Sequence, residues 1–180
     1  MRKALASLLL ALAAPPAFAQ AWLTLGPLML GMPRAQVLER MPLLNCQGNR
    51  CHVLVPLACG HLRPGAEREG CTKPFLIAGV EPTLWSLEFM DGRLASIYIT
   101  LPARHFDKVA AALAFQYGAP TEQRPAAAKA AESRRLAWED ATGVLIAVDR
   151  AGGSDVTALS LSTRSHAELQ RKRDKPAAGS

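Results

Sequence analysis

Four cysteines and two histidines crowd into one segment: Cys46, Cys51, His52, Cys59, His61 and Cys71. Thiolate and imidazole are the ligands that hold zinc or copper, so a metal site is the first chemistry to weigh. The spacing argues against it. Zinc knuckles separate their paired cysteines by roughly two to four residues. Here only Cys46 and Cys51 come close, with Gln47 to Arg50 between them. The segment also lacks a C-x-x-C redox pair and a C-x-x-C-H haem-attachment motif. An even number of cysteines in an exported chain points instead to disulfides. Of the three pairings, Cys46–Cys51 with Cys59–Cys71 is favoured. The first bond closes the polar turn Gln47-Gly48-Asn49-Arg50, and the second closes the Gly/Pro loop from Gly60 to Gly70. The six residues together remain the ligand set of the alternative, a metal carrier.

Export is read from residues 1 to 19. Arg2 and Lys3 form a basic start, Ala4 to Ala14 an apolar run too short to span a bilayer, and Ala17-Phe18-Ala19 a small-x-small cleavage site. No cysteine follows that site, so neither a membrane span nor a lipid anchor is expected. The chain left after cleavage, residues 20 to 180, is predicted to be soluble and periplasmic. The formal net charge of +6 is then misleading. Two charges leave with the signal peptide, and a net three lie in the basic tail, 164 to 180. About +1 remains for the domain, an ordinary solvated surface rather than a nucleic-acid face.

No catalytic constellation emerges. Neither G-x-S-x-G nor H-E-x-x-H occurs. His105 and Asp107 stand two apart at a helix start, a spacing at which side chains do not face each other. Glu88, Asp91, Glu139 and Asp140 offer carboxylates, but turns explain two of them. The sequence therefore predicts no catalytic residue and no cofactor.

The elements that must position these residues centre on 84 to 120. In 85 to 90 the odd residues Trp85, Leu87 and Phe89 share a face. Asp91-Gly92 is a type I′ hairpin signal, and Ala95, Ile97, Ile99 and Leu101 continue the apolar alternation. Glu88, Ser96, Tyr98 and Thr100 point the other way, with Met90 and Leu94 at the rim. That polar side is the candidate interaction face, with tyrosine supplying area at low entropy cost. A helix from 104 to 117 presents Phe106, Val109, Ala110, Leu113 and Tyr117 as one stripe to cover the apolar side. Gly118 and Pro120 end it. A first short helix opens at Gly31-Met32-Pro33. Strands are expected over 51 to 58, 135 to 139, 144 to 149 and 155 to 163, with 119 to 133 a low-complexity connection. This gives an α+β fold: an antiparallel sheet with two helices on one face, in an order that suggests two tandem αβββ units. The domain runs from 20 to 163 with a cysteine-stapled excursion at 46 to 71, followed by a basic, largely disordered tail at 164 to 180, read as a frayed helix and a disordered end.

Two segments carry a resemblance. Gly31-Met32-Pro33-Arg34-Ala35-Gln36-Val37 and Leu87-Glu88-Phe89-Met90-Asp91-Gly92-Arg93-Leu94 resemble small α/β modules of the bacterial envelope. These are the small lipoprotein of the outer-membrane β-barrel assembly machinery and the β-lactamase-inhibitor proteins. The resemblance implies short helices on an antiparallel sheet and action through protein–protein contacts. The expected function is binding of a periplasmic or envelope protein, as inhibitor, adaptor or assembly factor. A small periplasmic enzyme or metal carrier centred on 46 to 71 is the alternative.

Overall fold

The structure, a computed structural model, describes residues 22–54, 75–124 and 134–174. The expected signal peptide, the Cys59–Cys71 pair, His61 and Pro56 lie outside them. In chain order, a small hairpin (β1, Thr24–Leu25; β2, Leu28–Met29) leads into helix α1 (Arg34–Arg40). A meander follows: β3 (Asn45–Gln47), β4 (Arg50–Leu54), β5 (Leu84–Met90) and β6 (Arg93–Pro102). A 3-10 turn at Ala103–His105 opens helix α2 (Phe106–Tyr117). The second meander is β7 (Glu122–Arg124), β8 (Arg135–Glu139), β9 (Gly143–Val148) and β10 (Val156–Thr163), and helix α3 (Arg164–Asp174) follows directly.

The two meanders form one antiparallel sheet ordered β3-β4-β5-β6-β10-β9-β8-β7. Each unit is a helix followed by four strands, and the units join through their last strands, with Ile99 opposite Leu159. The expected αβββ units each gain a strand. Both additions, β3 and β7, are three residues long and sit at the two edges of the sheet. Strand β4 is interior rather than an edge, because β3 shields it.

Alternation places Trp85, Leu87, Phe89, Ile97, Ile99, Leu145, Leu159 and Leu161 on one face, all 2% exposed or less. Helices α1 and α2 pack there, through Val37 and through Phe106, Val109 and Leu113. The ends of α2 are pinned. At its start, Arg134 bonds Asp107 at 2.7 Å and Asp149 at 3.0 Å while stacking 4.5 Å from the Phe106 ring. The Asp107 hydrogen bond, more than the Asp149 one, raises the Arg134 pKa. At its end, the Tyr117 hydroxyl donates to the Thr24 carbonyl at 2.7 Å, and the Trp138 indole N–H donates to the Gly118 carbonyl at 2.9 Å.

The two resemblance-bearing segments touch. The Gly31 N–H donates to the Leu94 carbonyl, the Leu94 N–H to the Met32 carbonyl, and the Arg34 N–H to the Gly92 carbonyl, at 2.8 to 2.9 Å. The start of α1 is thus stitched to the β5–β6 turn, where Asp91 and Gly92 both take the positive φ that a type I′ turn requires. Beside this turn lies a β-bulge. Glu88 pairs with Ser96 but Phe89 pairs with Leu94, leaving Ala95 as the extra residue. The bulge reverses the parity of β6, so Leu94 is a core residue, 1% exposed, and not part of the open face.

Candidate functional site

The opposite face of the sheet is polar, and its registers define three rows. The first runs Arg50, Glu88, Ser96, Ser162, Val144, Glu139 across six strands. The second runs His52, Ser86, Tyr98, Ser160, Ile146, Ala137, Glu122. The third runs Leu54, Leu84, Thr100, Ala158, Val148, Arg135, Arg124. Directly paired side chains in an antiparallel sheet share a face, so the registers alone place them.

Small serines at the sheet centre leave a groove of about 710 Å³ between Tyr98 on the floor, Arg124 and Arg135 on one wall, and α3 on the other. Tyr98 is 37% exposed. Glu122 pairs with Arg124 and lies 3.9 Å from Arg135, which fixes that wall. Thr100 is held from the side by Thr83, hydroxyl to hydroxyl at 2.7 Å.

Helix α3 falls where a frayed helix is expected, at the start of the basic tail. It lies across the first row, packing on β9 and β10. His166 is 6% exposed, and its Nε2 lies 3.1 Å from Glu88 Oε2. Arg50 approaches the other Glu88 oxygen at 3.7 Å. The helix start is fixed by Thr163, whose hydroxyl accepts the His166 N–H at 3.2 Å, and by Arg164, which donates to the Asp140 carbonyl at 2.8 Å. The Asp140 carboxylate organises the β8–β9 turn below. Burial pushes its pKa upward, but hydrogen bonds from the Thr142 hydroxyl and the amides of Gly143, Leu23 and Thr142 outweigh that and hold it below the ordinary value.

Of the six residues expected on the face, Glu88, Ser96, Tyr98 and Thr100 are brought together there. Met90 is half-buried at the β5 end, and Leu94 is turned into the core. Sequence reasoning missed Arg50, Ser160, Ile146 and His166. The first three need the cross-strand register to be seen. His166 carried a local signal, since Thr163 stands three residues before it as a helix cap would.

Of the cysteine segment, Cys46, Cys51 and His52 lie among the described residues. Cys46 and Cys51 face each other across β3 and β4 with Cα atoms 4.0 Å apart and are joined as a disulfide. Their sulfurs are bonded to each other instead of being free as thiolates. Cys51 is fully buried on the core side, whereas His52, one residue on, projects from the polar face. The pleat therefore separates the nearest imidazole from the sulfurs. The carboxylates are not paired either. Glu88 and Glu139 lie four strands apart in the first row, about 19 Å at the usual strand spacing. Among the described residues no helix is long and apolar enough to cross a membrane. No protein-family model, no curated protein and no solved structure matches the chain.

Proposed function

We propose that this chain is a soluble periplasmic protein that binds another protein through the polar face of its sheet, as an inhibitor, an adaptor or an envelope-assembly factor. The observation that carries this reading is the asymmetry of the sheet. One face is sealed by α1 and α2, and the other exposes Tyr98 in a groove floored by serines and walled by arginines. Rigid strands hold these side chains in place, so little ordering entropy is lost when a partner docks. The amino-terminal export signal and the resemblance of 31–37 and 87–94 to envelope modules support the same compartment and mode of action.

The test is crosslinking in the periplasm followed by recovery of the chain and its partner. Tyr98→Ala and Glu88→Lys should each lower recovery at least about tenfold, the effect of losing an interface anchor. Phe115→Ala is the comparison, because Phe115 stands 95% exposed on α2 on the other side of the molecule. Recovery lost with Phe115→Ala and kept with Tyr98→Ala would move the interface to the helical side and defeat the proposal.

A further inference from the structure

Helix α3 lies on the face to which the partner is assigned, and its attachment is unlike any other in the molecule. Its sequence, RSHAELQRKRD, holds one large aliphatic residue, Leu169, which is 41% exposed. Its buried contribution is His166, whose Nδ1 has no hydrogen-bond partner within the described residues. Beneath it lie Ser162 and Val144, each 7% exposed, neighbours in the first row. Arg164, Arg171, Lys172 and Arg173 are exposed along the helix. The helix joins β10 with no intervening loop, so a change of backbone angles near Thr163 and Arg164 is enough to swing it away. A helix this short and polar is not stable without tertiary contacts, so leaving the sheet also unwinds it.

We infer that α3 is a displaceable cover: it occupies the first row of the polar face in the free protein and leaves when a partner docks, exposing Ser162 and Val144 and freeing Glu88 from His166. This rests on the assignment of the partner to that face. The groove beside α3 is then the part of the site open before binding, and the covered row is the part that only a partner able to replace the His166–Glu88 contact can reach. The cover restricts binding to partners that offer Glu88 a donor of their own.

The cover can be tested with no partner present, so its failure is distinct from failure of the partner assignment. In the full chain under non-reducing conditions, Ser162→Cys reports on the covered row. Thr157→Cys, on the core side of the same strand and fully buried, reports on opening of the whole fold. Reaction with a maleimide should be at least about a hundredfold faster for the thiol at position 162 than for the thiol at position 157, because local opening precedes global opening. Adding His166→Ala should speed labelling at position 162 about tenfold, as expected for loss of one hydrogen-bonded contact, and should speed position 157 by no more than the same factor, so position 162 keeps its lead. His166→Gln, which keeps a donor for Glu88, should restore the slower rate. Equal labelling of the two sites, or no acceleration at position 162 by His166→Ala, would make α3 a fixed part of the fold and overturn the inference.

Discussion

Helix α2 rests on the apolar face through Phe106, Val109 and Leu113, none more than 5% exposed, whereas α3 rests on the polar face through His166. Burying each of the three α2 side chains contributes about 1.5–3 kcal/mol as an upper estimate, several kcal/mol in all. Apart from the Arg164 bond to the Asp140 carbonyl at its first residue, the α3 contact is one hydrogen bond to a carboxylate that Arg50 also serves, and a bond to a charged group nets about 1.5–3 kcal/mol, less than the three buried side chains together. One sheet thus holds one helix by area and another by a polar contact. The difference separates what builds the fold from what can be exchanged at its surface.

The largest effect is expected on the apolar side. Leu113→Ala should cost about 2–5 kcal/mol in urea unfolding, since it leaves a cavity under α2 that the rigid sheet cannot fill. His166→Ala should cost about 1.5 kcal/mol in the same measurement, the low end for a hydrogen bond to a charged group. A loss as large as that of Leu113→Ala would erase the comparison.

Between these falls Gly143, where β9 passes the root of α3. A Cβ there would collide with the Ser162 carbonyl oxygen and lie 2.7 Å from Leu30 Cδ1. The first obstacle is backbone and cannot rotate away. Gly143→Ala should therefore destabilise by about 1–3 kcal/mol, and heteronuclear shifts should change at both Ser162 and Leu30.

The smallest effect concerns acid. Because the folded Asp140 carboxyl titrates below its ordinary value of 3.8, its contribution is fully present above that value. It is lost as pH falls through the lowered folded value. Asp140→Asn should flatten this part of the acid-denaturation curve and weaken the tether to the Leu23 N–H. An unchanged curve would show that the turn does not hold the amino-terminal hairpin to the sheet.

How far the sequence carried this picture can be judged strand by strand. The interior strands β5, β6, β8, β9 and β10 were legible because each alternates or runs apolar between turn residues. The edges β3 and β7 were not. Each is three residues long and largely polar (NCQ and EQR), paired on one side only, and therefore carries no periodicity to read. The bulge at Ala95 was equally silent, and it misplaced Leu94 by flipping the parity of a correct strand. The polar face was visible in outline through Glu88, Ser96, Tyr98 and Thr100. Its other half, on β9 and β10, depended on a pairing between distant strands that no local pattern encodes. The seat of helix α3 on the sheet was obscured by its composition, since a run of arginines reads as solvated chain whether or not a sheet lies beneath it.

The junction between β6 and β10 sets the order of events during synthesis. A chain that emerges amino terminus first completes β6, ten residues long, well before its partner strand appears. Until Val156–Thr163 arrives, the first meander ends in a bare strand with Ile97, Ile99 and Leu101 along it. Such an edge is a template for pairing with another chain. The last strand to be made is therefore the one that closes the sheet, and a chain cut short before it would present an open edge as its most aggregation-prone surface.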